Sequence, residues 1–258
     1  MPAPLAALPM YDRPETAAAH DALWALVRDG LRARCVSAPD ALDRRVRTLA
    51  RGAPAPVVLG QVCNLPLRRG LCGDVRRIGC GDYGLPGTAP GFYYSHFVVR
   101  AQDDLTPGTF HRRPGARFAR NEADSHSGWG AAQLWAARAG LPPFPALPEA
   151  GSHRAAAAAV ADGRADMAAI DAISWRAIAR HDRSLAARLR IAGETGRSPG
   201  QTFVTDARDP APHRAALAEA IAALDPVHAA VLGLRGLAVL EDAAYADLEP
   251  HACIAGAA

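Results

Sequence analysis

Phe92-Tyr93-Tyr94-Ser95-His96-Phe97-Val98-Val99 is a β-rich run that closes a Gly- and Pro-rich stretch, residues 60–91, and opens a new α/β pattern. Aromatic and β-branched side chains suit a pleated, half-buried surface, so the run predicts strand. A second β-rich run, Gln201–Thr205, lies far downstream. The two bracket a central unit, as expected of a chain that crosses twice between two lobes. Residues 1–97 and 204–258 would then form one lobe and 98–203 the other. Periodicity fits a single doubly wound domain almost as well.

Upstream, Leu5–Leu8 reads as a strand ended by Pro9. Pro14 suits the first turn of a helix carrying Leu23, Trp24, Val27 and Leu31. Leu42, Val46 and Leu49, after Pro39, have the spacing of a second helix, broken by Pro54 and Pro56. Val57-Val58-Leu59 is a buried strand of the parallel type, and Val75–Ile78 another strand. Downstream, strands are expected at Arg117–Ala119, Met167–Ile170 and Leu189–Ala192. Helices are expected at Gly130–Ala139, Ser152–Ala161, 210–223 and 226–234. Such alternation predicts a mostly parallel sheet with crossover helices.

Composition excludes several classes. Among 258 residues, 50% are hydrophobic and 21% charged, which is globular rather than disordered. All 29 basic residues are Arg, so no Schiff-base or P-loop lysine chemistry is available. A net charge of +3, dispersed along the chain, argues against nucleic acid as a partner. No stretch approaches the ~18 apolar residues of a membrane span, so the protein is not expected to be membrane-embedded. Met1–Met10 has neither a basic start nor an apolar run of signal-peptide length. As the sequence stands this predicts a cytoplasmic protein; it would be periplasmic if the sequence is a mature or mis-started form.

The five cysteines, at 35, 63, 72, 80 and 253, form no CxxC pair. Cys63, Cys72 and Cys80 are close enough in sequence for one bridge. With no ligand spacing and no glycine-rich phosphate loop, neither a metal nor a nucleotide cofactor is expected. Gly79-Cys80-Gly81-Asp82-Tyr83-Gly84 is not followed by a helix, so it is not a dinucleotide fingerprint. No HExxH or paired-carboxylate frame marks a catalyst.

Two turns carry the strongest binding signal. Asn121-Glu122-Ala123-Asp124-Ser125-His126-Ser127-Gly128-Trp129-Gly130 leads into a helical pattern, and Gly151-Ser152-His153-Arg154 opens the alanine-rich one. Unpaired N–H groups and the dipole at a helix start favour an anion. A simple capping role for Asp124, Ser125 or Ser152 is the plainer alternative. Two such turns in one unit point to a shared oxyanion site, with His153 supplying a donor that strengthens below neutrality. Asp171 at the end of Met167–Ile170, Tyr11 after the first strand and Gln61 after Val57–Gly60 occupy strand ends, where ligands bind in open α/β folds. Asp166, at the other end of its strand, reads as a turn residue.

Several segments together resemble the phosphate/phosphonate ABC-transporter substrate-binding proteins, in the PhnD-like branch. They are Ala7–Asp12, Leu59–Leu67, Asp82–Gly87, Tyr94–Arg100, Asp124–Gly128, Gly151–Arg154 and Ala165–Asp171, in the family's order. The resemblance implies an α/β, two-lobed, type 2 periplasmic-binding-protein-like fold, with two hinge strands and an interlobe ligand cleft. It implies a non-enzymatic solute-binding protein that closes around a small anionic ligand, with an ABC-transporter permease as partner. Carried over by motif, Ser125, His126, Ser127, Ser152 and His153 contact the anion, while Tyr11, Gln61, Tyr94 and Asp171 line the rest of the cleft. Enzymes of menaquinone- or thiamine-precursor type and cytoplasmic ligand sensors use the same fold, and fold alone does not separate them.

Overall fold

A computed structural model describes residues 4–49, 55–145, 147–246 and 248. In chain order the elements are β1 (Leu5–Ala7), α1 (Ala17–Ala33), β2 (Val57–Val62), α2 (Asn64–Arg68), β3 (Arg76–Asp82), β4 (Phe92–Tyr93), β5 (Ser95–Arg100) and β6 (Phe118–Ala119). A π-helical turn, His126–Gly130, leads into α3 (Ala131–Arg138) and α4 (His153–Ala161). Then come β7 (Met167–Asp171), α5 (Ala172–His181), α6 (Arg183–Ala186), β8 (Leu189–Glu194) and β9 (Ser198–Pro199). The last are β10 (Thr202–Thr205), α7 (Ala211–Ala223), α8 (Pro226–Leu232), β11 (Gly236–Ala238) and a 3₁₀ turn at Asp242–Tyr245.

Contacts divide the chain into two compact units: Met1–Phe92 with Pro199–Tyr245, and Tyr93–Ser198 with Ala246–Ala258. The chain therefore passes between units within β4 and β9, two short strands that pair with each other. The boundaries expected at 97/98 and 203/204 lie inside β5 and β10. The divisions fall before those strands, because each strand is hydrogen-bonded along its length into its own sheet. Ala246 and Leu248 go with the second unit rather than the first. Cys253 and Pro54 lie outside the described residues.

The first unit's sheet has the order β1-β2-β10-β3-β11, and the second's β6-β7-β5-β8. The expectation of a mostly parallel sheet is corrected in both. Only β1–β2 and β6–β7 are parallel among the described pairings. Entering from the crossing, β10 starts beside the ends of β2 and β3, with Thr202 opposite Val62 and Cys80, so it must run antiparallel to both. In the second unit β5 starts with Ser95 opposite Asp171, the last residue of β7, with the same result. Each crossing strand thus arrives at the C-terminal ends of a sheet's strands, the position of Gln61 in one unit and Asp171 in the other.

Residues 39–49 form no helix, contrary to the spacing of Leu42, Val46 and Leu49. Asp43 N–H donates to the Ala6 carbonyl (2.7 Å), and its carboxylate accepts from Arg45 N–H (2.9 Å). These bonds tie the segment to β1 and replace the i→i−4 ladder. Leu42 and Leu49 are still buried, as loop anchors. In the second unit, α4 packs Ala156, Ala157 and Val160 on Val98 and Ile170, the short side chains allowing close approach. Phe97, Phe110, Phe118 and Phe144 form an aromatic cluster on the sheet's other side chains.

Asp166 is more than a turn residue. Its carboxylate accepts from Arg117 N–H (2.9 Å), Arg117 Nε (3.1 Å) and Arg100 Nη2 (3.0 Å), with Arg113 at 3.6 Å. Burial opposes its charge, but these hydrogen bonds prevail and hold its pKa at about 2. Removing it leaves half-buried guanidinium groups uncompensated. Asp166→Asn is expected to lower stability by about 2 kcal/mol near neutrality. The difference should shrink as the pH falls through about 2, where wild type also loses the charge. Urea denaturation over pH checks both, and an unchanged midpoint at neutrality would refute the role.

Candidate functional site

In the second unit both predicted turns are capped by their serines. Ser125 Oγ accepts from Gly128 N–H (3.1 Å) and Ser152 Oγ from Ala155 N–H (3.1 Å). Both N-caps have extended backbones and close their helix starts through the side chain. Because a capping hydroxyl uses its oxygen as acceptor, its O–H remains a donor. The capping role is therefore real and compatible with an anion contact.

The turns are joined. Ser127 Oγ lies 2.8 Å from His153 Nε2 and 3.4 Å from Ser125 Oγ, so three predicted side chains form one buried chain across two helix starts. Where His153 donates through Nε2, the Ser127 hydroxyl is free to donate onward. Asn121 adds a backbone tie, its carbonyl accepting from Gly151 N–H (2.8 Å). A Cβ at Gly128 would stand 1.8 Å from Asn121 Oδ1 and 3.2 Å from His153 Cε1, so the turn closes on these neighbours only with glycine there.

His126 is placed differently from the other turn residues. It is fully buried, with Nδ1 2.7 Å from the Tyr93 hydroxyl, and burial drives its pKa down to about 4. At neutral pH it is an uncharged, inward-facing group. Asp171 is buried and caps α5 by accepting from Ser174 N–H (2.8 Å). Tyr94 is buried, edge-on to His96 (5.3 Å between ring centroids), and Arg197 lies 4.3 Å from its ring centroid.

In the first unit, Tyr11 and Gln61 meet around Tyr83. The Tyr11 and Tyr83 rings contact edge to face at 5.1 Å, and Gln61 Nε2 donates to the Tyr83 hydroxyl (3.0 Å). Nearby in the same unit, Asn64 Nδ2 donates to the carbonyls of Pro199 (2.8 Å) and Gly200 (2.7 Å), fixing the chain just past the second crossing. Cys80 Sγ lies 3.3 Å from Thr202 Oγ1 and 3.1 Å from the Tyr245 hydroxyl. Burial pushes both the Cys80 thiol and the Tyr245 phenol up. Cys35, Cys63, Cys72 and Cys80 are all outside any disulfide.

Sequence reasoning missed Tyr83, Tyr93, Ser95 and Asn64. Tyr93 and Ser95 had a usable signal, since alternate strand residues share a face. Tyr83 had none, because its partners are brought to it by strand pairing. Among the described residues, no group of three or more His, Cys, Asp or Glu side chains gathers as a metal site. No single described helix is long and apolar enough to cross a membrane.

The family model for the phosphonate ABC-transporter periplasmic substrate-binding proteins matches residues 82–249. No curated protein matches the chain. Among solved structures, PhnD1 from Prochlorococcus marinus in complex with methylphosphonate superimposes with a TM-score of 0.66 at 16% identity, over 95% of this chain and 94% of that one. XAC2383 from Xanthomonas citri, bound to ATP, gives 0.64 at 16% identity over 96% and 94%. The binding component of an ABC phosphonate transporter from Pseudomonas aeruginosa gives 0.64 at 15% identity over 94% and 83%. At these identities the likeness establishes the fold, that of the two-lobed type 2 periplasmic binding proteins.

Proposed function

Because the chain belongs to the family of phosphonate ABC-transporter periplasmic substrate-binding proteins, we propose that it is a solute-binding protein for a small oxyanion of the phosphate or phosphonate kind. The observation that carries this reading is the Ser125–Ser127–His153 chain, which links two helix starts in one unit. Its hydroxyls and the helix dipoles favour negative charge. The ligands named for two structural neighbours, methylphosphonate and ATP, both carry phosphorus oxyanions. Ser125, Ser127, Ser152 and His153 are the proposed anion contacts. Asp171 and Tyr94 of the second unit and Tyr11 and Gln61 of the first complete the proposed ligand set. The two units are proposed as the lobes of the binding protein, working with an ABC permease in the periplasm, where the family operates. Cytoplasmic residence was inferred from the chain's first residues alone, and the family's description gives it no support.

Calorimetric titration of phosphate, methylphosphonate and sulfate tests the reading. Each hydrogen bond to a charged ligand is worth about 1.5–3 kcal/mol. Ser127→Ala and His153→Ala should therefore each weaken binding by roughly tenfold to a hundredfold. The reading fails if no anion binds wild type, or if these substitutions lower the melting temperature while affinity stays unchanged.

A further inference from the structure

The strand at the first crossing is bonded to the anion turn at two alternate positions. Tyr93, in β4, places its hydroxyl 2.7 Å from His126 Nδ1. Ser95, the first residue of β5, donates through Oγ to the Ser127 carbonyl (2.8 Å). Both side chains are buried, and both partner residues belong to the His126–Gly130 turn. Tyr94, between them, sits instead against His96 and Arg197. Ser95 is held on its other side as well: its N–H donates to Thr195 Oγ1 (2.9 Å), and its carbonyl accepts from Thr195 N–H (2.9 Å). Thr195 lies three residues before Ser198, where the chain leaves the unit again. The turn that carries Ser125 and Ser127 thus rests on the segments leading to both crossings. The Leu248 backbone also lies within hydrogen-bonding reach of the His126 ring.

We infer that Tyr93, Ser95 and His126 are positioning residues: they hold the anion turn in its binding geometry and couple its occupancy to the order of the first crossing strand. His126 then acts through the turn, and its ring does not touch the ligand. The inference rests on the anion-binding reading above.

The test uses the full chain with methylphosphonate as probe. Tyr93→Phe removes one hydroxyl at constant shape and should weaken methylphosphonate binding about tenfold, leaving the ligand-free melting temperature within a few degrees of wild type. Because Tyr93 and His126 act as one unit, Tyr93→Phe/His126→Ala should bind no more weakly than His126→Ala alone. Saturating methylphosphonate should slow amide exchange over residues 92–96 in wild type and leave it unchanged in Tyr93→Phe, a response that a purely structural role does not produce. Ser95→Ala provides an independent variant with the same expected loss. If wild type binds and Tyr93→Phe and Ser95→Ala bind equally well, or exchange slows alike in wild type and Tyr93→Phe, the positioning role is overturned while the anion reading stands. If wild type binds none of phosphate, methylphosphonate and sulfate, both fall.

Discussion

Gly128→Ala is expected to weaken oxyanion binding more than a hundredfold and to lower stability by about 1–3 kcal/mol. The stability term is the usual cost of forcing a methyl group into a filled site. Here the new Cβ would fall 1.8 Å from Asn121 Oδ1 and 3.2 Å from His153 Cε1. Asn121 is buried, and its carbonyl already holds Gly151 N–H, so its short side chain has little room to retreat. The turn must then move. That movement breaks the Gly128 N–H bond to Ser125 Oγ and separates Ser127 from His153, so at least two of the proposed anion contacts are lost together. At about 1.5–3 kcal/mol each, two such contacts exceed a hundredfold in affinity. If the clash is the cause, Asn121→Ala in the Gly128→Ala background should restore much of the binding. Wild-type affinity in Gly128→Ala, measured by calorimetry, would remove glycine's assigned role.

Acid destabilisation is the second large effect. Burial holds the pKa of His126 at about 4, against ~6.5 for an unfolded histidine. Between these values the unfolded chain takes a proton that the folded one refuses, so stability falls as the pH drops from ~6.5 toward 4. At 1.36 kcal/mol per unit, the loss is about 3 kcal/mol. Burial also lowers His20, His96 and His213, whose contributions share this sign. The measurement is therefore a difference. Unfolding free energies of wild type from urea titrations should fall by about 3 kcal/mol more than those of His126→Asn over this range. Asparagine keeps a polar atom near the Nδ1 position without titrating. Parallel curves for the two proteins would show that His126 is not the group responsible.

How much of this was legible depends on how local each signal is. Strand and helix positions from Leu5 to Leu31, the capping serines at 125 and 152 and the acid at the end of β7 were all readable from the sequence. Caps and periodicity act within a few residues, so the side chains that set them are written beside the backbone they serve. Leu42, Val46 and Leu49 show where this breaks down. Their spacing is helical, but a bond from Asp43 to Ala6 in a separate strand outweighs it.

The α/β alternation, the two β-rich runs near the crossings and the two hydroxyl-bearing helix starts are all local features of the sequence. Tertiary structure decided that Ser127 meets His153 across twenty-six positions, that Gln61 meets Tyr83, and that β5 and β10 run antiparallel to their neighbours. It also decided that His126 turns inward to Tyr93 while Ser125 and Ser127, one residue to either side, share the chain to His153. Local preferences cannot encode these outcomes. Which face of a turn becomes interior depends on the strand packed beneath it, and that strand is set in place by hydrogen-bonded register with elements distant in the chain.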